Sequence, residues 1–165
     1  MWLRRLLHTP NDGILTFLRI VLGIVFFAHG AQIALGWFGG SGFDETVRYF
    51  ERNLGIPPFL ATLTILSEFL GGIGLIAGLL SRIAALGILV DMAVAVAMVH
   101  LPNGFFMNWY GNQHGEGFEY HLLVMAIAIT VIVRGAGALS LDRVLDSKLE
   151  GGRTLEIRME PQPTR

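Results

Sequence analysis

The chain contains no cysteine. It therefore forms no disulfide, offers no thiolate to zinc or to an iron–sulfur cluster, and performs no thiol–disulfide exchange of its own. Charge is scarce as well: 15% of the 165 residues are Asp, Glu, Lys or Arg, against about 25% in an ordinary soluble domain. The net charge of −1 supplies no basic field to hold nucleic acid. The glycine-rich stretches are followed by neither a strand nor a Lys-Ser/Thr pair, so they are not phosphate loops. A redox role would require a bound cofactor or a quinone.

What is abundant is apolar surface, with 53% hydrophobic residues and a mean hydropathy of +0.57. Four stretches stand out, at 14–35, 59–80, 82–100 and 120–139. Each is about 20 residues long, enough to cross a hydrocarbon core of ~30 Å at 1.5 Å per residue. In lipid such segments must be helices, because no water is present to satisfy the backbone. The sequence therefore predicts an all-α integral membrane four-helix bundle. It divides into an N-terminal segment (1–13), the bundle (14–139) and a C-terminal tail (140–165). A cleaved signal is not expected, since the first stretch is long, carries Arg19, His29 and Gln32, and ends at no small-residue cleavage site.

Basic residues set the orientation. Arg4, Arg5, Arg82, Arg143, Lys148, Arg153, Arg158 and Arg165 fall on one side of a four-span layout, and the 101–119 loop opposite has no Lys or Arg. Both termini are expected in the cytoplasm of a bacterial cell, with the chain in the inner membrane. On the outer side, Phe43, Val47, Phe50 and Leu54 recur at helical spacing, which predicts a short amphipathic interfacial helix. Phe105, Phe106, Trp109 and Tyr110 suit an interfacial aromatic belt. The segment beyond Leu145 reads as a polar, mobile tail, with an alternating stretch at 154–160.

Ionisable groups at membrane depth are costly and therefore informative. Glu68 and Asp91 both fall near the bilayer centre, with Arg19 lower on the first span. The simplest arrangement pairs Arg19 with Asp91, Glu68 or both, either as a structural clasp or as a proton-handling set. A second group lies toward the outer face: His29 and Gln32, three apart on one helix face, with His100 and His121 at the ends of the third and fourth spans. Imidazoles there suit a quinone carbonyl, proton relay or haem ligation. No histidine pair has metal-site spacing, and a quinone is favoured over haem. Glu68 beside Gly71 and Gly72 suggests room for a ring-shaped ligand, so the expected site is His29, Gln32 and Glu68. The glycines of the first two spans suit close helix contact, within the bundle or between subunits.

Three segments resemble the DoxX family: LRIVLGIVFFAHGAQ, SEFLGGIGLIAGLLSR and GAGALSLDRVL. The resemblance covers roughly 17–145. It rests on Arg19, Gly23, His29–Gly30 and Gln32, then Glu68, Gly71 and Gly72, then Gly135, Gly137, Ser140, Leu141 and Asp142. A lysine or similar residue commonly follows the glutamine in that family, where this chain has Ile33. The resemblance implies a bacterial four-helix membrane protein loosely tied to oxidoreduction, in a family named after a subunit of a thiosulfate:quinone oxidoreductase. Three readings follow. The first is a membrane subunit of an oxidoreductase system, with Arg19, Glu68 and Asp91 moving protons and His29, Gln32, His100 and His121 binding quinone. The others are a non-catalytic assembly subunit of a larger complex and a small proton-linked transporter. Expected partners are the bilayer, a redox protein or membrane complex, and further copies of the chain.

Overall fold

A computed structural model describes residues 2–159. Its helices are α1 (Trp2–Leu7), α2 (Gly13–Leu35), α3 (Gly42–Leu54), α4 (Pro58–Ala77), α5 (Ser81–Ala95), α6 (Glu119–Arg134) and α7 (Leu141–Met159). No strand occurs among the described residues.

Local chemistry sets the helix ends. Asp12 caps α2, its side chain accepting from the Leu15 N–H at 3.0 Å. Pro58 occupies the first turn of α4, where its missing N–H costs nothing. Gly78 ends α4 in the left-handed region (φ 69°) and returns its N–H to carbonyls of the last turn. α5 continues through a π turn at Val96–His100 and a short 3-10 turn at Leu101–Asn103.

Helices α2, α4, α5 and α6 form the bundle, with α2 against α4 as its most extensive contact. The core joins Leu22 and Phe26 of α2, Leu75 of α4, Ile88 and Met92 of α5, and Val124 and Val131 of α6. The outside of the bundle is apolar as well. Phe17, Ile24, Leu63, Leu70, Leu86, Val90, Leu123 and Val133 are all exposed, as expected where lipid is the solvent.

Three helical stretches are long and apolar enough to cross a membrane: Gly13–Leu35, Pro58–Ala77 and Ser81–Asn103. The fourth bundle helix, α6, has 16 residues, or about 24 Å. It stops at Arg134 rather than at 139, because the next residues turn back into the bundle. The amphipathic helix read from Phe43 to Leu54 is present as α3, packed on α2 and α4 through buried Thr46. The C-terminal expectation is corrected: the segment is helical through Met159 and is tied to α1 by Arg4–Asp146 (3.5 Å) and to the residue after α1 by His8–Asp146 (3.0 Å). The alternating stretch is helix at 154–159, and 160–165 lie outside the described residues.

The glycines are used within the subunit. A Cβ on Gly30 would strike the backbone of Phe69, and one on Gly72 the backbone of Phe27. α2 and α4 therefore touch almost backbone to backbone.

Candidate functional site

The polar residues of the bundle separate into two clusters. Arg19 and His29 are ten residues apart on α2, about 15 Å along its axis, and each belongs to a different cluster.

Arg19 lies at the end of the bundle that holds α1 and α7, with no exposed surface. The expected ion pair with Glu68 or Asp91 is not formed. The guanidinium instead donates to four backbone carbonyls: Nε to Ala136 (2.8 Å), Nη1 to Leu75 and to Ile76 (3.0 Å), and Nη2 to Leu139 (2.6 Å). Leu75 and Ile76 belong to the last turn of α4, where carbonyls have spare accepting capacity and a cation is favoured. Its acidic neighbour is Asp142. That carboxylate accepts from the Leu80 and Ser81 N–H groups at 2.7 and 2.9 Å. It thereby caps α5 and holds Leu80 at φ 50°. Thr9 and Thr16 receive the Gly137 and Ala138 N–H groups at 2.6 and 2.8 Å. The Arg19, Gly-x-Gly and Ser-Leu-Asp pieces thus form one knot that closes this end of the bundle.

The opposite end opens into a chamber of about 310 Å³. Its polar lining is His29 from α2, Glu68 from α4, His100 from the π turn, Tyr120 and His121 from α6, and Glu116 from the loop before α6. Phe26, Met92 and Met107 supply apolar wall. The π turn matters here, because one extra residue per turn changes the direction in which His100 projects. The His100 and His121 rings are 4.0 Å apart, centroid to centroid, and His100 Nδ1 contacts the Glu116 carbonyl at 2.8 Å. Two rings in contact cannot stand on opposite faces of a porphyrin, so this pair does not fit bis-His haem.

The loop forms the chamber's roof and is itself ordered by carboxylates. Glu119 accepts from the Met107 N–H (2.9 Å) and the Trp109 indole N–H (3.1 Å), and Glu116 from the Asn108 N–H (2.7 Å).

Two buried polar atoms at this end have no partner among the described residues: His121 Nδ1 and Tyr120 Oη. Buried polar atoms are ordinarily bonded, and these two belong to residues that line the chamber. His121 is only 6% exposed. Asp91 stands behind Glu68, which its charge influences, and accepts from Thr64 Oγ1 at 3.1 Å.

Of the residues expected to bind or react, the structure brings together His29, Glu68, His100 and His121, with Asp91 adjacent. Arg19 is held at the other end. Gln32 also stands apart: it lies one turn beyond His29, against the 36–40 turn, and donates to the Phe38 carbonyl at 3.4 Å. Gly71 and Gly72 do not provide the cavity's room, since Ala84 and the Phe27 backbone occupy those faces. Tyr120, Glu116 and Met107 are lining residues that sequence reasoning missed. The signal for Tyr120 was its position next to His121 at the start of a span.

The bundle, its apolar exterior and this chamber define an all-helical membrane protein with a small polar site near one end. Within that class, the DoxX family model matches residues 14–101. The chain is 30% identical over 130 residues to the inner membrane protein YqjF of Escherichia coli (strain K12), covering 79% of this chain and 90% of that protein. It is 30% identical over 154 residues to the membrane protein Rv3486 of Mycobacterium tuberculosis, covering 87% and 88%. It is 31% identical over 125 residues to CatD of Bacillus subtilis (strain 168), a protein provisionally named an oxidoreductase, covering 76% and 81%. No solved structure matches the chain. The chain belongs to the DoxX family.

Proposed function

We propose that this protein is the membrane subunit of an oxidoreductase system and that its chamber holds the head group of a quinone. The observation that carries the reading is the His121 ring, which lines a cavity together with His29, Tyr120 and Glu68 and whose buried Nδ1 has no partner among the described residues. The volume lies at the small end of the usual range for small-molecule sites, about 300–1,000 Å³. In this reading His121 and Tyr120 donate to one quinone carbonyl and His29 meets the other. Reduction to the quinol consumes two electrons and two protons. Glu68, with Asp91 behind it, delivers the protons. A partner redox protein supplies the electrons, since a chain without cysteine holds no thiolate-ligated cluster. The name of CatD is in keeping with such chemistry.

The membrane is the bacterial inner membrane in this reading, as the name of YqjF suggests. Arg4, Arg5, Arg82, Arg143 and Lys148 gather at the knot end, which supports reading that end and both termini as cytoplasmic and the chamber as facing the outer side. Reporter fusions at Asn112 and the C-terminus test this orientation, and an external C-terminus would refute it.

The test of the site is quinone retention. Protein extracted in mild detergent is assayed for bound quinone by mass spectrometry, beside the His29→Ala/Glu68→Gln double variant, with folding checked by melting. Loss of quinone from a folded variant is the expected result. Equal quinone content in both, or none in either, overturns the proposed site.

A further inference from the structure

Helix α7 has two sides that differ in chemistry. Asp142 and Asp146 are turned into the fold and are 1% and 7% exposed. Each is occupied, Asp142 by the Leu80 and Ser81 N–H groups and Asp146 by Arg4 and His8. Beside them run Leu141, Val144, Leu145 and Leu149, all 40–49% exposed. That stripe continues the exposed surface of Leu139, at 77%, and so joins the apolar exterior of the bundle. Leu145 and Leu149 also border an apolar groove of about 320 Å³, with Leu7 and Leu80 as its far wall and Lys148 at its rim.

A stripe of this kind on a helix that is polar elsewhere suits the headgroup boundary of a bilayer. Charge points the same way. Lys148 makes no ion pair among the described residues, and Arg5 is exposed at the same end. Both attract lipid phosphate, most strongly on an anionic surface.

We propose that α7 lies in the membrane–water interface of an anionic leaflet, its leucine stripe in the acyl boundary and Lys148 on lipid phosphate. The helix then acts as a float that sets the depth of the knot end. Asp142 and Asp146 connect it to α5 and α1.

The absence of cysteine makes the test clean, because a single introduced cysteine carries the only label. Leu145→Cys and Ser147→Cys variants of the full chain are spin-labelled and reconstituted into phosphatidylcholine vesicles with and without phosphatidylglycerol. Accessibility to oxygen and to a water-soluble nickel chelate is then measured. Position 145 is expected to be oxygen-rich and at least several-fold protected from nickel, and position 147 open to nickel. Protection at 145 should deepen with phosphatidylglycerol and be reduced by Lys148→Glu. Equal nickel access at both positions overturns the proposal. Protection at 145 from both reagents, with broadening from a neighbouring label, would assign the stripe to a second copy of the chain and overturn it too. Depth that does not respond to phosphatidylglycerol overturns the anionic assignment. Melting of each labelled protein guards against reading unfolding as exposure.

Discussion

At the knot end, Arg19 directs its donors to the Ala136, Leu75, Ile76 and Leu139 carbonyls, and Asp142 and Thr16 accept from backbone N–H groups. At the chamber end, His121 and Tyr120 each keep a buried polar atom unpartnered. Both ends therefore carry costly residues at membrane depth, but for different reasons. A saturated set closes a fold. An unsaturated set beside a cavity has capacity left for something else. Unpartnered atoms also occur near the knot, on Ser81, Arg82 and Asp146. Arg82 and Asp146 are otherwise bonded, Arg82 through its terminal nitrogens to the Val133 and His8 carbonyls at 2.9 and 3.0 Å. No comparable cavity with convergent imidazoles lies beside them among the described residues.

The comparison is broken most directly at Arg19. Arg19→Leu should take the guanidinium from four carbonyls, of which Leu75 keeps its bond from Gly78, and cost about 3–5 kcal/mol, since buried groups stripped of a charged partner are expensive. The yield of folded protein and its melting temperature should fall sharply. Neutralising Glu68 or Asp91 as well should not restore them, as it would if Arg19 paired with either acid. Gly30→Ala drives a methyl group into the Phe69 backbone and should cost about 1–3 kcal/mol, typical of overpacking. Asp142→Ala removes the cap of α5 and should cost about 1–2 kcal/mol. The smallest effect sharpens the contrast: Tyr120→Phe deletes a hydroxyl that bonds nothing in the protein, so melting should change by less than about 1 kcal/mol or improve. A large loss of stability from Tyr120→Phe would show that the chamber end is also structural.

The same division explains what could be read from the sequence. Span lengths and helix polarity were enough to send His29, His100 and His121 to one end, with Glu68 deeper, because 1.5 Å per residue fixes height along a helix. They could not tell which acid a cation meets. Arg19 was read against other side chains, whereas its partners are backbone carbonyls exposed by the end of α4 and by the turn after α6. Those carbonyls have no signature in residue type. Gln32 shares a helix face with His29, but one further turn carries it past the chamber to the 36–40 turn. Helix α7 has the composition of a tail because its stabilising contacts are distant in sequence, from Arg4 and His8 to Asp146. The early end of α6 reflects Gly135 and Gly137, whose positive φ values bend the chain back onto Thr9 and Thr16.

The central claim is that the imidazoles and acid converging on the cavity at one end form a ligand site while Arg19 and Asp142 at the other hold the fold. Ligand-induced stabilisation tests it in one experiment. A quinone with a short isoprenoid tail, added to detergent-solubilised protein freed of endogenous quinone, binds the folded state and raises the melting temperature by mass action. The account predicts a concentration-dependent rise for the wild type that is absent in His121→Ala, each protein being compared with its own melting temperature without ligand. An equal rise in both, or no rise in the wild type, would contradict it.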